Sequence, residues 1–192
     1  MVRHRLLIPY WLNASNLNIV AKRKGWPFAE SRPATNICEE HFWTTPDRQN
    51  FISFVSDFGL TMNYLVVQGQ NPGSIVAELE RTFPILSVDD VLAAARGAQA
   101  SQDRIDALYR AAVVSQEDQE DPRLRDLLVS GLSDPDPRVR QAAVFACSYA
   151  TWPSLRTALD QIAAGDPDDD TRAMAGTALS SLNEHVWSRE AD

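Results

Sequence analysis

The chain has 192 residues, of which 44% are apolar, and a formal net charge of -8 at pH 7. This length accommodates one large domain or two small ones, and the apolar fraction is enough to build hydrophobic cores. The negative charge argues against a general nucleic-acid-binding protein, because the neutralisation of phosphates requires a clustered positive surface. We therefore do not expect nucleic acid as a partner.

Charge is distributed unevenly along the chain. Residues 1–48 contain seven Lys and Arg against four Asp and Glu, a net charge of +3. Residues 87–192 contain ten against nineteen, a net charge of -9. This difference indicates two segments with different surfaces, and the acidic segment favours a basic partner.

The cellular compartment is suggested by cysteine usage and by apolar runs. The two cysteines, Cys38 and Cys147, are too few for a disulfide framework and are typical of a reducing compartment. No apolar run approaches the ~18 residues that a membrane span requires. Pro9 interrupts the first apolar run before a signal-peptide core develops. The sequence predicts a cytoplasmic protein without a membrane association.

The first 86 residues predict a small α/β or α+β domain. The apolar run that begins at Arg5 leads to the turn-like segment Asn13–Asn16, after which a returning strand is expected. In chain order, the predicted elements are a strand at 17–21, a strand at 37–44, a helix at 51–58, a strand at 62–67 and a helix at 73–83. This mixture of strands and helices is typical of a compact two-layer domain.

Residues 87–192 predict a second domain that consists of three helical hairpins. Apolar positions recur there at helical spacing, and acidic or proline-containing breaks separate the runs. The predicted helix pairs are 88–96 with 104–114, 123–132 with 137–150, and 153–163 with 169–182. The fold class predicted for the whole chain is therefore α+β, with a helical solenoid as its second part.

The clearest motif is the stretch from Asp134 to Ala146, in which an acidic, proline-containing turn opens an amphipathic helix. Asp136 and Pro137 provide an N-cap acceptor and a first-turn proline. A degenerate copy follows at 168–179, about 32 residues later, and a period of this size is typical of stacked helical hairpins. Small residues on one face of the helix allow close stacking, and they are Val139, Ala142, Ala143, Ala146 and Ala150.

These residues resemble the HEAT-repeat family in its short bacterial form, over roughly residues 88–183. The resemblance implies a polar ladder between repeats, formed by a turn aspartate and an arginine of the second helix. Asp136 with Arg140, and Asp170 with Arg172, match these positions. The first repeat has Asp106 where the arginine is expected, so its part in the ladder is left open.

The candidate functional surface is the side of the second helices opposite the small-residue face. In arrays of this family, the second helices usually line the concave surface. On the second hairpin, Phe145 occupies a position where the neighbouring repeats have Ala111 and Thr177. An aromatic residue with a polar rim is typical of an interface anchor, although burial under a neighbouring hairpin is the alternative. The predicted protein-binding residues are Arg138, Gln141, Phe145, Ser148 and Trp152.

Other chemistry in the sequence is weak, and we predict no catalytic residue, cofactor or metal. The turn 69–74 lacks the lysine and the glycine spacing of a phosphate-binding loop. Glu39 and His41 would share a strand face, but no second histidine cluster exists in the sequence. The aspartates of 166–170 lack the glycine and the glutamate of a calcium loop and are interpreted as helix caps. Lys22–Trp26 is either a small binding site for an acidic group or an ordinary surface turn.

The sequence therefore predicts a non-enzymatic protein-binding module, acting as a scaffold, an adaptor or an inhibitor of the immunity-protein type. A complementary charge would speed its encounter with a basic partner. The alternative is an enzyme or a small-molecule-binding protein with its site in the N-terminal domain. The sequence leaves the oligomeric state open.

Overall fold

The structure is a computed structural model that describes residues 2–33, 35, 37–117 and 119–190, with the backbone alone for residue 2 and residues 183–190. The chain divides into two compact units, Met1–Ser87 and Val88–Asp192. The first contains an antiparallel sheet with helices and the second contains helices. The fold class is α+β, which confirms the prediction from sequence.

The first unit is built on a five-stranded sheet in which all neighbouring strands are antiparallel. Across the sheet, the strands follow the order β1-β5-β4-β3-β2. Both faces of the central strands carry buried side chains, so polar and apolar residues do not alternate regularly along them. The strands are β1 (Val2–Leu7), β2 (Phe28–Arg32), β3 (Cys38–Thr44), β4 (Asn50–Asp57) and β5 (Met62–Gly69).

The strand predicted at 17–21 is wrong, because these residues belong to helix α1 (Ala14–Lys24). The turn-like asparagines are its cap: the Asn13 side chain accepts from the Ser15 N–H, and the Asn16 side chain accepts from the Asn13 N–H. The helix ends at Gly25, which adopts a left-handed conformation with a φ of 68°. The basic cluster is therefore the last turn of a helix, where positive charge is favoured.

The helix predicted at 51–58 is also wrong, because Asn50–Asp57 is strand β4. Ile52 and Phe54 point towards the core that the helices cover, whereas Ser53 and Val55 are buried on the opposite face. A strand that is buried on both faces loses the alternation of polar and apolar residues by which strands are recognised. The spacing of its apolar residues then imitates a helix.

The second helix of this unit, α2 (Gly73–Thr82), follows β5 through a tight connection. Gly69 has a φ of 153°, and an added Cβ would lie 2.4 Å from the carbonyl oxygen of Gln49. Only glycine therefore allows β5 to approach the β3–β4 turn so closely. Helices α1 and α2 cover one face of the sheet through Leu17, Ile75 and Leu79, among others.

The second unit contains three consecutive helical hairpins. Their positions agree with the sequence prediction, although α4 begins three residues earlier than expected and α8 continues beyond 182. A 3₁₀ turn at Pro153–Leu155 precedes the first helix of the third hairpin. The hairpins are α3 (Val88–Gly97) with α4 (Ser101–Val114), α5 (Pro122–Leu132) with α6 (Pro137–Ala150), and α7 (Arg156–Gly165) with α8 (Asp169–Glu190).

The hairpins start as the sequence predicts, and their second helices stack directly. Asp121 and Asp136 each accept a backbone N–H at the start of a helix whose first residue is proline. Helix α6 packs against α4 on one side and against α8 on the other, and these second helices contact each other more closely than α3, α5 and α7 do. Among the described residues, no helix combines the length and the apolar character that a membrane span requires.

Candidate functional site

A ladder of arginines links consecutive hairpins. Arg104, Arg140 and Arg172 are each the fourth residue of a second helix. Arg104 Nε lies 2.8 Å from Asp134 Oδ2 in the following turn. Arg140 repeats this contact with Asp166, with Nε–Oδ2 at 2.7 Å and Nη2–Oδ1 at 2.9 Å. The guanidinium groups of Arg104 and Arg140 thus bind bidentately to the turn of the next hairpin. Arg172, in the last hairpin, pairs instead with Asp169 of its own helix, and not with Asp170 as the sequence suggested.

The ladder corrects two details of the sequence interpretation. The first repeat takes part through Arg104, and the alignment that placed Asp106 at this position is out of register by two residues. The ladder carboxylates are those of Asp134 and Asp166, whereas Asp136 pairs with Arg138 of its own helix. The error arose because the first hairpin lacks the Asp-Pro start that marks the second one.

The pair between Arg140 and Asp166 is deeply buried. The side chains are 10% and 2% exposed. The guanidinium also donates to the carbonyl oxygens of Asp134 and Pro135, at 3.0 and 3.3 Å. The hydrogen bond from Arg140 holds the pKa of Asp166 below its ordinary value. These groups satisfy one another completely, which makes the ladder structural.

Two of the predicted binding residues, Arg138 and Gln141, lie in the first two turns of α6. Arg138 is 69% exposed at its side chain and pairs with Asp136, whose pKa this contact lowers. Gln141 is partly buried, and its Nε2 donates to Asp168 Oδ1 at 3.0 Å. Gln141 therefore also joins α6 to the following turn, so only part of its surface is free for a partner.

The other two polar or amphipathic candidates have internal roles. Ser148 Oγ donates to the carbonyl oxygen of Phe145 at 2.6 Å, which is a bond within the same helix. Trp152 is 2% exposed, and its indole N–H donates to the carbonyl oxygen of Gln116 at 2.8 Å. Trp152 does not reach the surface, because it fastens the end of α6 to the loop after α4. A large aromatic residue directly after a helix is as compatible with this role as with exposure.

Phe145 lies at the centre of a chain of aromatic side chains. Its ring is 6.0 Å from that of Tyr109 on α4 and 5.5 Å from that of Tyr149, with interplanar angles of 74° and 60°. These are edge-to-face geometries, which aromatic pairs prefer. All three residues are partly exposed. We call Tyr109, Phe145 and Tyr149 the aromatic strip.

The sequence interpretation missed Tyr109 and Tyr149. Counted from the helix starts, Tyr109 and Phe145 are both the ninth residue of a second helix, so Tyr109 is the true equivalent of Phe145. The same count gives Thr177 in α8, where the strip ends. Placing the start of α4 at Ser101 would have revealed the pair. Burial and the charge of Asp106 raise the pKa of Tyr109, so its phenol remains neutral at physiological pH.

Acidic groups lie on α4 and on α8, the two helices that pack against α6. On α4, Asp106 accepts a hydrogen bond from Gln102 Nε2 at 2.8 Å. On α8, Asp169 and Asp170 are exposed in the first turn, and Asp169 pairs with Arg172. These carboxylates contribute to the net negative charge of the array.

The remaining sequence candidates have ordinary partners. His41 Nδ1 lies 2.7 Å from Ser31 Oγ, and its Nε2 lies 3.2 Å from Glu39 Oε1, all at a strand pair of the sheet. Asp168 accepts from both the N–H and the hydroxyl of Thr171, as a helix cap does. In the described part of the chain, no three His, Cys, Asp or Glu residues come together as metal ligands.

Three stacked hairpins with linked turns define an α-solenoid built from short repeats. Residues 91–185 match the family model of HEAT repeats, so this segment belongs to the HEAT-repeat family and confirms the resemblance drawn from the sequence. No curated protein and no solved structure matches the chain. HEAT repeats are commonly scaffolds for protein interactions.

Proposed function

We propose that the array binds a protein partner through the aromatic strip, as a scaffold, an adaptor or an inhibitor, without catalysis. The observation that carries this proposal is the row of three partly exposed rings on the layer of second helices. Exposed aromatic residues that are already fixed by their neighbours bind with little loss of side-chain freedom. Tyrosine is enriched among the residues that dominate interface energies.

The packing of the helices supports the concave side as the binding face. The second helices contact each other more closely than the first helices, and a layered array curves towards its tighter layer. On this face, Arg138 and the unbonded surface of Gln141 provide a polar border next to Phe145. A concave surface with an aromatic centre fits a convex or helical partner.

The charge of the array supports a basic partner. Residues 87–192 contain ten Lys and Arg against nineteen Asp and Glu, a net charge of -9. Complementary charge accelerates the encounter and disfavours acidic competitors. An immunity-type inhibitor of a basic toxin or nuclease is the specific form of this proposal.

The thiols support a reducing compartment, and we place the protein in the cytoplasm. Cys38 and Cys147 are both free thiols in the structure. Burial raises the pKa of Cys147 to about 12, so this thiol behaves as a small apolar group in the interior of the array.

The test compares two substitutions of the same kind on opposite layers of the array. Phe145→Asp places a charge in the aromatic strip, and Val129→Asp places it on α5, where Val129 is 37% exposed. Tagged wild-type and variant proteins are incubated with native extract, and the captured proteins are identified by mass spectrometry. We expect a partner that is retained by Val129→Asp and lost with Phe145→Asp, while circular dichroism shows that both variants fold.

The partner is then purified and its affinity is measured at several salt concentrations. A basic partner predicts binding that weakens as ionic strength rises. Capture that is equal for wild type and Phe145→Asp contradicts the proposed face, and an acidic partner contradicts the proposed charge complementarity.

A further inference from the structure

The first unit contains a cleft of about 490 Å³, which is within the range of ~300–1,000 Å³ that is typical of small-ligand sites. It lies where the end of α1, the β3–β4 turn and the start of α2 meet. This cleft is separate in the sequence from the aromatic strip and includes part of the 69–74 turn. Its lining includes Lys24, Trp26, Asp47, Asn50, Ser74 and Glu78.

Asn50 supplies the strongest indication of a ligand. The residue is only 6% exposed. Its Oδ1 accepts the Asn71 N–H at 3.1 Å, and its own N–H donates to Thr45 Oγ1 at 3.1 Å. The first of these bonds fixes the orientation of the amide and leaves the Nδ2 group without a hydrogen bond to any residue that the structure describes.

A side-chain donor that has no acceptor within the protein can bind an acceptor atom of a ligand. The Asn50 nitrogen is accessible from the cleft, in contrast to the indole nitrogen of Trp43, which is sealed in the described core without a partner. The cleft therefore contains a fixed pair of N–H groups that can donate to an incoming acceptor atom.

The charges of the lining decide against an anionic ligand. Lys24 Nζ lies 2.7 Å from Glu78 Oε1, so the one positive lining group is already paired. This contact with Lys24 holds the pKa of Glu78 below its ordinary value, and the Thr45 hydroxyl does the same for Asp47. Both carboxyls are thus ionised at neutral pH, and the three charged lining groups sum to -1. A phosphate or carboxylate would be repelled, although α2 begins at this cleft.

The composition of the lining fits a neutral ligand that carries several hydroxyl groups. Carboxylates and amides form paired hydrogen bonds with neighbouring hydroxyls, and the Asp47 and Asn50 side chains offer an acceptor and a donor. Trp26 adds an aromatic wall, on which the C–H face of a sugar ring can pack. We infer that the cleft is a binding site for a neutral sugar, independent of the protein-binding surface.

The experiment uses the full chain and a matched pair of variants. Ser74 and Ser15 are both exposed and are both the second residue of their helix, but only Ser74 lines the cleft. Ser74→Phe fills the cleft, whereas Ser15→Phe adds the same ring elsewhere in the unit. Thermal unfolding shows whether the two variants retain the wild-type fold.

Binding of glucose, galactose, N-acetylglucosamine and ribose is measured by calorimetry, with inorganic phosphate and spermidine as the anionic and cationic alternatives. We expect saturable binding of at least one sugar, which Ser74→Phe weakens by about tenfold or more and Ser15→Phe leaves unchanged. In ¹H–¹⁵N spectra, the same sugar should shift the side-chain amide signals of Asn50. Phe145→Asp should leave the sugar affinity unchanged.

The inference is overturned if none of the four sugars binds, or if only phosphate or spermidine does. It is also overturned if a sugar binds Ser74→Phe as tightly as wild type, because the binding site would then lie elsewhere. Loss of the protein partner with intact sugar binding would concern the aromatic strip alone.

Discussion

The two units of this protein are stabilised in different ways. In the sheet unit, the core consists of large side chains, such as Leu65, Phe54 and Trp43, between one face of the sheet and two helices. In the array, the stacked second helices meet through small residues, and Ala143 and Ala146 are completely buried. The array adds a buried ion pair between Arg140 and Asp166, which links the turns of two consecutive hairpins.

This difference has a physical reason. A globular core closes on itself and can be filled by side chains of any size that fit together. An array must repeat one contact between neighbouring helices, so small residues set a short and constant distance, and polar links in the turns set the register. We therefore expect the sheet unit to be most sensitive to the removal of atoms, and the array to the addition of atoms and the loss of polar links.

The largest effect is expected from the ladder. Arg140→Ala removes the cationic partner of Asp166, whose side chain is 2% exposed, and leaves a buried carboxylate with no positive charge to balance it. Removing one partner of such a pair costs about 3–5 kcal/mol of stability. Arg104→Ala is the matched control, because its pair with Asp134 is more exposed, at 31% and 11%. Urea denaturation of both variants checks the order, and equal losses would show that burial of the pair is not decisive.

In the sheet unit, the comparable change is the removal of side-chain volume. Leu65 is 1% exposed on the central strand β5 and belongs to the core. Leu65→Ala should cost about 2–5 kcal/mol, since the cavity cannot collapse between a sheet and two helices. Exposed Phe51→Ala on the adjacent strand β4 serves as the control and should cost much less. A small effect of Leu65→Ala would show that the surrounding side chains rearrange and fill the cavity.

In the array, adding one methyl group should be harmful where helices meet. A Cβ on Gly131 would lie 2.8 Å from Leu108 Cδ2 and 2.9 Å from Ala143 Cβ. Gly131→Ala should therefore destabilise the protein by about 1–3 kcal/mol, although alanine is the better helix former. Gly176→Ala is the matched control on α8, where a Cβ meets nothing within 4 Å, and it should stabilise by about 0.5–1 kcal/mol. Thermal unfolding should show a lower midpoint temperature for Gly131→Ala than for wild type, and a higher one for Gly176→Ala.

The pH dependence of stability sharpens the same comparison with a smaller effect. Arg140 holds the pKa of Asp166 in the folded protein below its ordinary value, so the pair stabilises the fold above the unfolded pKa of about 3.9. This contribution is lost as the pH falls through the folded pKa. The stability difference between wild type and Asp166→Asn should thus shrink on acidification from pH 6 to pH 3, as measured by urea denaturation. A constant difference would show that ionisation of Asp166 does not contribute.

The array was more predictable from sequence than the sheet unit, and the two failures in the sheet unit explain why. Helix starts in the array carry local signals such as Asp136 with Pro137, which act through bonds to the next few residues. In the sheet unit, β4 is defined by its neighbours, since burial on both faces removes its alternation. The segment 17–21 became a helix because of the Asn13 cap, a signal that also fits a turn.

For the candidate surface, the sequence singled out Phe145 but not the two tyrosines that contact its ring. Phe145 was found by its position opposite the alanine face. Tyr109 was missed because its helix begins with Ser101, without the Asp-Pro signal that fixes the register elsewhere. Trp152 was included because sequence spacing continues past the end of α6, where the backbone turns and the indole is buried against Gln116. The cleft of the sheet unit brings together distant segments, and sequence spacing cannot show such a site.

The forward direction of the arginine ladder has a consequence for how this protein could grow. Asp134 and Asp166 are 32 residues apart, and so are Arg140 and Arg172. A duplicate of residues 135–166, inserted after Asp166, would contain a copy of Arg140 and a copy of the Asp166 that it binds. Every guanidinium would still meet a carboxylate, and no buried charge would be stranded at the junction. Gene duplication in units of one repeat could therefore lengthen the binding face while keeping the same ion pair between consecutive hairpins.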